Sequence, residues 1–244
     1  MKTQTTKLLM MLIGLSIFFS ACKEIDIILP STTVTTQEKF VQDYSGLEVS
    51  TAFTVDVQFS HTDERIEVEA NENLHPFIVV EKVNNTLRIK FKNGINVRGN
   101  STLKIHIVTK NNMDYYAASG ASHILLMDSL LSDNVTISLS GASTFTGTIT
   151  ANSLSAFIDG ASNASLSGTT SSLSAHLSGA STLRDFNMIT QYANLDLSGA
   201  SQANLTVNNS IDLSASDASI FKYKGSATIG QLNLSEASQI MKVN

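Results

Sequence analysis

His176 and Asp196 are the two side chains best spaced to do chemistry together. Each stands two residues ahead of a Ser-Gly-Ala-Ser tetrapeptide, at Ser178 and Ser198. If those tetrapeptides hold equivalent places in a repeating fold, the imidazole and the carboxylate point outward on adjacent turns. They could then exchange a proton, as general acid–base catalysis requires. Cleavage of a glycosidic bond normally needs two carboxyl groups, one to protonate the leaving oxygen and one to activate water or attack the sugar. The same column continues into Phe157 on one side and into Ser214 and Asn233 on the other, while Asp159 falls in a different column. No second carboxylate or basic cluster joins the pair, so it reads as a solvent-exposed surface pair and no catalytic residue is assigned.

Other chemistries find less. His61, His75, His106, His123 and His176 show no tight ligand spacing, so no metal is expected. Calcium-binding Gly-Gly-x-Gly-x-Asp repeats, phosphate-binding glycine loops and the Gly-x-Ser-x-Gly elbow are absent, and no cofactor is expected. The abundant serines lack a partner base and read as ladder residues that bond to their copies above and below.

Cys22 carries the clearest local signal. Lys2 and Lys7 precede an apolar run from Leu8 to Phe19, and Phe19-Ser20-Ala21-Cys22 follows at once. Twelve residues are too few to span a bilayer, which takes about twenty. The run is an export signal over residues 1–21. It resembles a bacterial lipoprotein signal, which implies cleavage and lipidation of Cys22. Phe19 departs from the aliphatic residue usual three places before the cysteine. Lys23-Glu24-Ile25-Asp26 resembles an acidic surface-export tag and reads equally well as ordinary solvated chain. Residues 22–38, with Pro30 and a Thr-rich run, are expected to tether the fold to the lipid. As the sole cysteine, Cys22 cannot form an intramolecular disulfide.

From Met113 to Ile220 the one basic residue is Arg184, against eight Asp. Phosphate neutralisation needs clustered Lys and Arg, so nucleic acid is excluded as a partner.

The element that must position these groups is a repeat. Ser-Gly-Ala-Ser stands at Ser119, Ser140, Ser178 and Ser198, with variants beginning at Asp159, Ser216 and Ser235. The second residues of the seven copies are separated by 21, 19, 19, 20, 18 and 19 positions. One and three residues before each later copy the side chains are apolar, as in Leu139 and Ile137 or Leu197 and Leu195. Two residues after each copy they are apolar again, from Ile124 and Phe145 to Phe221 and Ile240. Such alternation marks a strand with one buried face. A unit of this length cannot bury that face alone, so neighbouring units must stack at about 4.8 Å. The expected fold is all-β, a right-handed parallel β-helix, or β-solenoid, with turns of about 19 residues.

The role of the glycine stays open at this stage. If the chain turns a corner there, glycine supplies a positive φ and the alanine is small enough to sit inside. If the strand runs through, glycine points inward and alanine outward. In the last two copies Asp217 and Glu236 replace the glycine and Lys222, Lys224 and Lys242 appear nearby, which suggests protection of the open end.

Between residues 40 and 110 the tetrapeptide is absent, yet alternation persists in Leu47–Phe59, Arg65–Ala70, Leu87–Phe91 and Leu103–Val108. Turn signals separate these runs at Asn84-Asn85, Asn93-Gly94 and Gly99-Asn100, and the stretch broken by Pro76 could hold a helical turn. No linker intervenes. Residues 39–244 are therefore read as one solenoid, with wider irregular turns over 39–112 and regular turns over 113–244.

Leu103-Lys-Ile-His-Ile-Val-Thr109, then Tyr116-Ala-Ala-Ser-Gly-Ala-Ser122, then the serial tetrapeptides and a Gly94-Ile95-Asn96 triplet resemble the auto-transporter adhesin, head GIN domain family. The resemblance covers about residues 40 to 240. It implies a β-helical, envelope-associated lipoprotein of Bacteroidota-type bacteria with an adhesive role and no established catalytic residues. The expected partners are the membrane, through lipid at Cys22, and a glycan or protein ligand along the long polar face. Homo-oligomers through open solenoid ends are compatible with this reading. The alternatives are a purely structural envelope component and a polysaccharide-cleaving β-helix enzyme.

Overall fold

The computed structural model describes residues 26–110 and 112–244. In chain order the first strands are β1 (Asp26–Ile28), β2 (Val34–Lys39), β3 (Gly46–Val49), β4 (Thr54–Phe59) and β5 (Arg65–Asn71). A 3-10 helix over Glu72–Phe77 leads into β6 (Ile78–Val83), β7 (Thr86–Phe91), β8 (Ile95–Val97) and β9 (Leu103–Thr109). Then come β10 (Tyr115–Ala118), β11 (His123–Leu126), β12 (Leu130–Leu139), β13 (Thr144–Ile158) and β14 (Asn163–Leu177). β15 (Thr182–Arg184), β16 (Met188–Leu197), β17 (Gln202–Ala215), β18 (Ile220–Lys224), β19 (Thr228–Leu234) and β20 (Gln239–Lys242) complete the chain.

From β10 onward the strands stack as parallel coils, a β-solenoid of about seven turns about 19 residues apart. Equivalent positions pair directly: Ile137 with Ala156, Ala156 with Ala175, Ala175 with Leu195 and Leu195 with Leu213. Each coil runs along one sheet before the tetrapeptide, turns the corner, and returns along a second sheet and a second bend near Asn152 and its equivalents. The alternating apolar side chains of both sheets fill the interior, and Leu154, Leu173, Phe145 and Phe221 are fully buried. Thr170 and Thr190 fasten the second bend from within, donating to the carbonyls of Ser172 and Tyr192.

The corner glycines settle the question the sequence leaves open. Gly120, Gly141, Gly160, Gly179 and Gly199 all have φ between 61° and 74°, so the chain turns there. Ala142, Ala161 and Ala180 are exposed, not tucked inside. The buried member is the fourth residue: Ser122, Ser143, Ser162 and Ser181 are wholly inaccessible. In several copies its hydroxyl closes the corner by donating to the carbonyl of the first serine, as Ser143 Oγ does to Ser140 at 2.9 Å. A hydroxyl that must be buried is thereby satisfied locally.

The N-terminal region differs from the wider turns expected over 39–112. β3 and β4 form an ordinary coil that pairs in parallel with β10 and β11. Its corner, Ser50-Thr51-Ala52-Phe53, sits beneath Gly120, with Thr51 and Ala52 at φ 69° and 65° and Phe53 in the place of the buried serine. β7 and β9, later in the chain, stack on the outer side of β3 and β4. Spatial order thus departs from chain order. Antiparallel strands then close this end, β6 on β7, and β5 followed by β2 on β9. An antiparallel return needs only a short connection, whereas another parallel coil needs a full crossover.

The expected tether also needs correction. β1 pairs in parallel with β8 and β2 pairs with β5, so residues 26–28 and 34–39 belong to the fold. Asn71 and Asn73 pin the intervening segment through the carbonyls of Ser31 and Leu29. Asparagine amides supply donors where Pro30 interrupts the alternation that would otherwise have betrayed a strand. Residues 1–25, with the export signal and Cys22, lie outside the described residues.

Candidate ligand-binding face

The sheet formed before each corner presents three outward rows. One row holds Ser153, Ser172, Tyr192 and Ser210; the next Thr136, Ser155, Ser174 and Asn194; the third Ser138, Phe157, His176, Asp196 and Ser214. Alternation dictates this, because every residue between them faces the core. Most of the outward positions carry hydroxyls or amides, which the parallel register stacks over like groups.

Three aromatic rings break the polar pattern, two of them half exposed. Phe157 and Tyr192 are 49% and 52% exposed. They lie two coils and four strand positions apart, which places their Cα atoms about 16 Å from each other by ordinary strand spacings. Tyr115 stands on the same face two coils below Phe157, in the row of Thr136 and Ser155.

His176 and Asp196 lie between those rings, and the structure brings them together as their spacing predicts. Nδ1 of His176 is 3.0 Å from Oδ2 of Asp196, with both side chains about half exposed at 49% and 58%. Their row neighbours are Phe157 and Ser214, neither of which can supply a second carboxyl group. Of the other acidic groups on these rows, Asp212 accepts the backbone N–H of Gln231 at 2.7 Å, and Glu48, further down the third row, accepts from Arg88 at 3.0 Å. Each carboxylate already has a donor, and the arrangement offers a bound molecule hydroxyls, amides and ring faces.

Beside the face, at the second bend, lies an open groove of about 600 Å³. Leu131 forms an apolar patch in it, 71% exposed, next to Asp114, Asp133 and Asn152. Asn152 Nδ2 donates to Asp133 Oδ1 at 2.8 Å across adjacent coils. The sequence reading missed this groove because its residues fall at the bend, outside the rows that the tetrapeptide aligns. Leu131, an apolar residue at an outward position of an otherwise alternating strand, was the available signal.

The remaining histidines stay apart. His123 Nδ1 meets Thr144 Oγ1 in the second sheet, and His75 is buried with Nε2 at 3.0 Å from Thr35 Oγ1. Among the described residues no group of three or more His, Cys, Asp or Glu could hold a metal ion, and no helix is long and apolar enough to cross a membrane. At the C-terminal corner, Asp217 accepts the N–H of Gly199 at 2.8 Å. That bond, followed by a hydrogen bond with Glu236, holds the Asp217 carboxyl below the usual carboxylate range.

Stacked parallel coils, a capped N-terminal end and a broad outward sheet define a β-solenoid. The family described as "Putative auto-transporter adhesin, head GIN domain" matches over residues 43–227, and the chain belongs to it. A "putative adhesin" from Bacteroides fragilis NCTC 9343 superposes with a TM-score of 0.80 at 21% identity, covering 88% of this chain and 100% of that one. A "putative lipid binding protein" from Parabacteroides distasonis ATCC 8503 gives 0.72 at 17%, covering 90% and 100%. A "putative adhesin" from Parabacteroides merdae ATCC 43184 gives 0.68 at 14%, also covering 90% and 100%. At these identities the likeness concerns the fold. No curated protein matches the sequence.

Proposed function

We propose that the chain is a lipid-anchored envelope adhesin that holds a neutral oligosaccharide across the sheet bearing Phe157 and Tyr192, and does not turn it over. The observation that carries this reading is the pair of half-exposed rings on a flat face whose other groups are hydroxyls and amides. Aromatic faces pack against the C–H surface of a sugar ring, while serine, threonine and asparagine side chains match its hydroxyls. Single exposed apolar side chains are ordinary on a protein surface, so it is the placing of these two on one face of hydroxyls and amides, at the spacing of a short sugar chain, that supports a ligand over a passive wall. The near-neutral rows, with Asp196 and Asp212 already engaged, favour an uncharged sugar over an acidic one. A site about 16 Å across fits a short oligosaccharide rather than a monosaccharide. The family supports the adhesive role, and the Cys22 motif supports attachment to a membrane, expected to be the outer one, facing outward.

The test is a panel of neutral and acidic oligosaccharides offered to wild type, Phe157→Ala and Tyr192→Ala, with the sugars recovered and sized afterwards. Binding of a neutral glycan that both variants weaken, with its length unchanged, supports the reading. Absence of binding would favour a structural envelope component, and shortened products would favour an enzyme centred on His176 and Asp196. Either overturns the proposal.

A further inference from the structure

The two ends of the solenoid are finished differently. At the N-terminal end the outermost strands are β2 and β6, and both carry charge, Glu38 and Lys39 on one and Glu81 and Lys82 on the other. Charged edge strands resist pairing with another chain. At the opposite end, β19 reads Thr-Ile-Gly-Gln-Leu-Asn-Leu, without a charge, and all seven residues are exposed. Its Ile229, Leu232 and Leu234 continue the inward columns of Ile211, Leu213 and Ala215. Those three are at most 3% exposed, whereas the last copies are 38%, 43% and 42% exposed. None of the charges that the sequence places near this end lies on β19. Asp217 and Glu236 are at the corner; Lys224 ends β18 at the bend on the far side, and Lys242 ends β20 near that bend, in register with Tyr223. There Lys242 stacks 5.8 Å over Tyr223 and Lys224 5.2 Å over Phe186.

We infer that the coil formed by β19 and β20 is an interface for a second copy of this chain, stacked end to end about a twofold axis. Two such axes would satisfy the exposed edges. An axis along the strands places each acidic corner against its own copy. An axis through both sheets pairs β19 antiparallel with its counterpart and β20 likewise, and sets each Glu236 over the partner's Lys224 and Lys242. Only the second joins opposite charges. It also buries the exposed leucines in a continued core and gives partners to the N–H and C=O groups of a coil edge on which no further strand pairs among the described residues. A symmetric, self-complementary contact of this kind closes at two copies. The capped, charged end then faces away from the partner. The inference is independent of the oligosaccharide reading, since the outward rows stay open in the pair.

The experiment is sedimentation velocity over a range of concentrations, using the chain beginning at Lys23, which retains every described residue. Wild type is expected as a concentration-dependent dimer. Leu232→Lys places a charge in the edge twice per dimer and should weaken association about tenfold or more. Glu236→Lys should do the same by setting lysine against lysine. The reversed combination of Glu236→Lys with Lys224→Glu and Lys242→Glu should restore it. Circular dichroism checks that Leu232→Lys folds; if it does not, the Glu236→Lys and reversed variants decide. A wild type that stays monomeric at every concentration overturns the inference, and so does a dimer indifferent to Glu236→Lys. A reversed variant that fails to recover overturns the choice of axis and with it the interface.

Discussion

Replacing a corner glycine with alanine should cost stability in two separable parts. Gly160 has φ +72°, a left-handed conformation that costs a residue with a Cβ about 1–2 kcal/mol. An added Cβ there would also lie 2.6 Å from the carbonyl oxygen of Gly141 on the preceding coil. That oxygen belongs to backbone and accepts the N–H of Ala161 at 2.7 Å, so relief of the clash must stretch a ladder bond worth about 1 kcal/mol. Together Gly160→Ala should lose about 2–3 kcal/mol. Gly179 and Gly199 are in the same position, with their Cβ sites 2.6 and 2.7 Å from the carbonyl below. At Gly120 and Gly141 the nearest atom is a backbone nitrogen at 3.2 Å, and only the conformational part applies. Urea unfolding of the five alanine variants should therefore divide them into a costly group of three and a milder group of two, differing by about 1 kcal/mol. Equal losses at all five corners would refute the stacking argument, and a neutral Gly160→Ala would refute both parts.

Leu173→Ala, in the middle of the fully buried column between Leu154 and Ala193, should lose about 2–5 kcal/mol in the same assay. His176→Ala should change unfolding by less than about 1 kcal/mol, because the pair with Asp196 is half exposed; a larger loss would show a structural role. The Asp217 carboxyl should titrate below the ordinary aspartate range by carbon-detected NMR. In Glu236→Ala its midpoint should rise part of the way back, since the Gly199 N–H remains. Because the folded pKa is the lower one, the stability Asp217 contributes is present above the ordinary range and is lost as pH falls through the folded value.

How the sequence foretells this fold depends on where the repeat is intact. Across 113–244 the tetrapeptide marks every corner, and the apolar positions around it dictate which side chains enter the core. The pairing of His176 with Asp196 could be read from that register alone. Legibility fails where a corner is made from other residues. Ser50-Thr51-Ala52-Phe53 turns like its counterparts, but Thr51 and Ala52 accept positive φ without glycine and Phe53 fills the serine's place, so nothing in composition reveals the match. The antiparallel cap was hidden for a different reason. Alternation shows that β5, β7 and β9 are strands, yet it carries no direction, and strand polarity is decided by connections that the pattern does not encode; β6 follows Pro76 and does not alternate. β1 and β2 escaped because Pro30 and a threonine run imitate a linker, while the contacts that hold them come from Asn71 and Asn73 some forty residues later. Within the candidate face, the rows were legible and the groove at Leu131 was not, since a bend has no period to follow.

The proposed function places the chain on the outside of the cell, held there by lipid at Cys22. The measurement that bears on this most directly is protease digestion of intact cells, with membrane fractionation alongside, for wild type and Cys22→Ala. Wild-type protein should fractionate with the membrane and be shaved from whole cells, and Cys22→Ala should leave the membrane. Protection of the wild type until the cells are opened would contradict surface display, and a Cys22→Ala variant that stays in the membrane would contradict the lipid anchor.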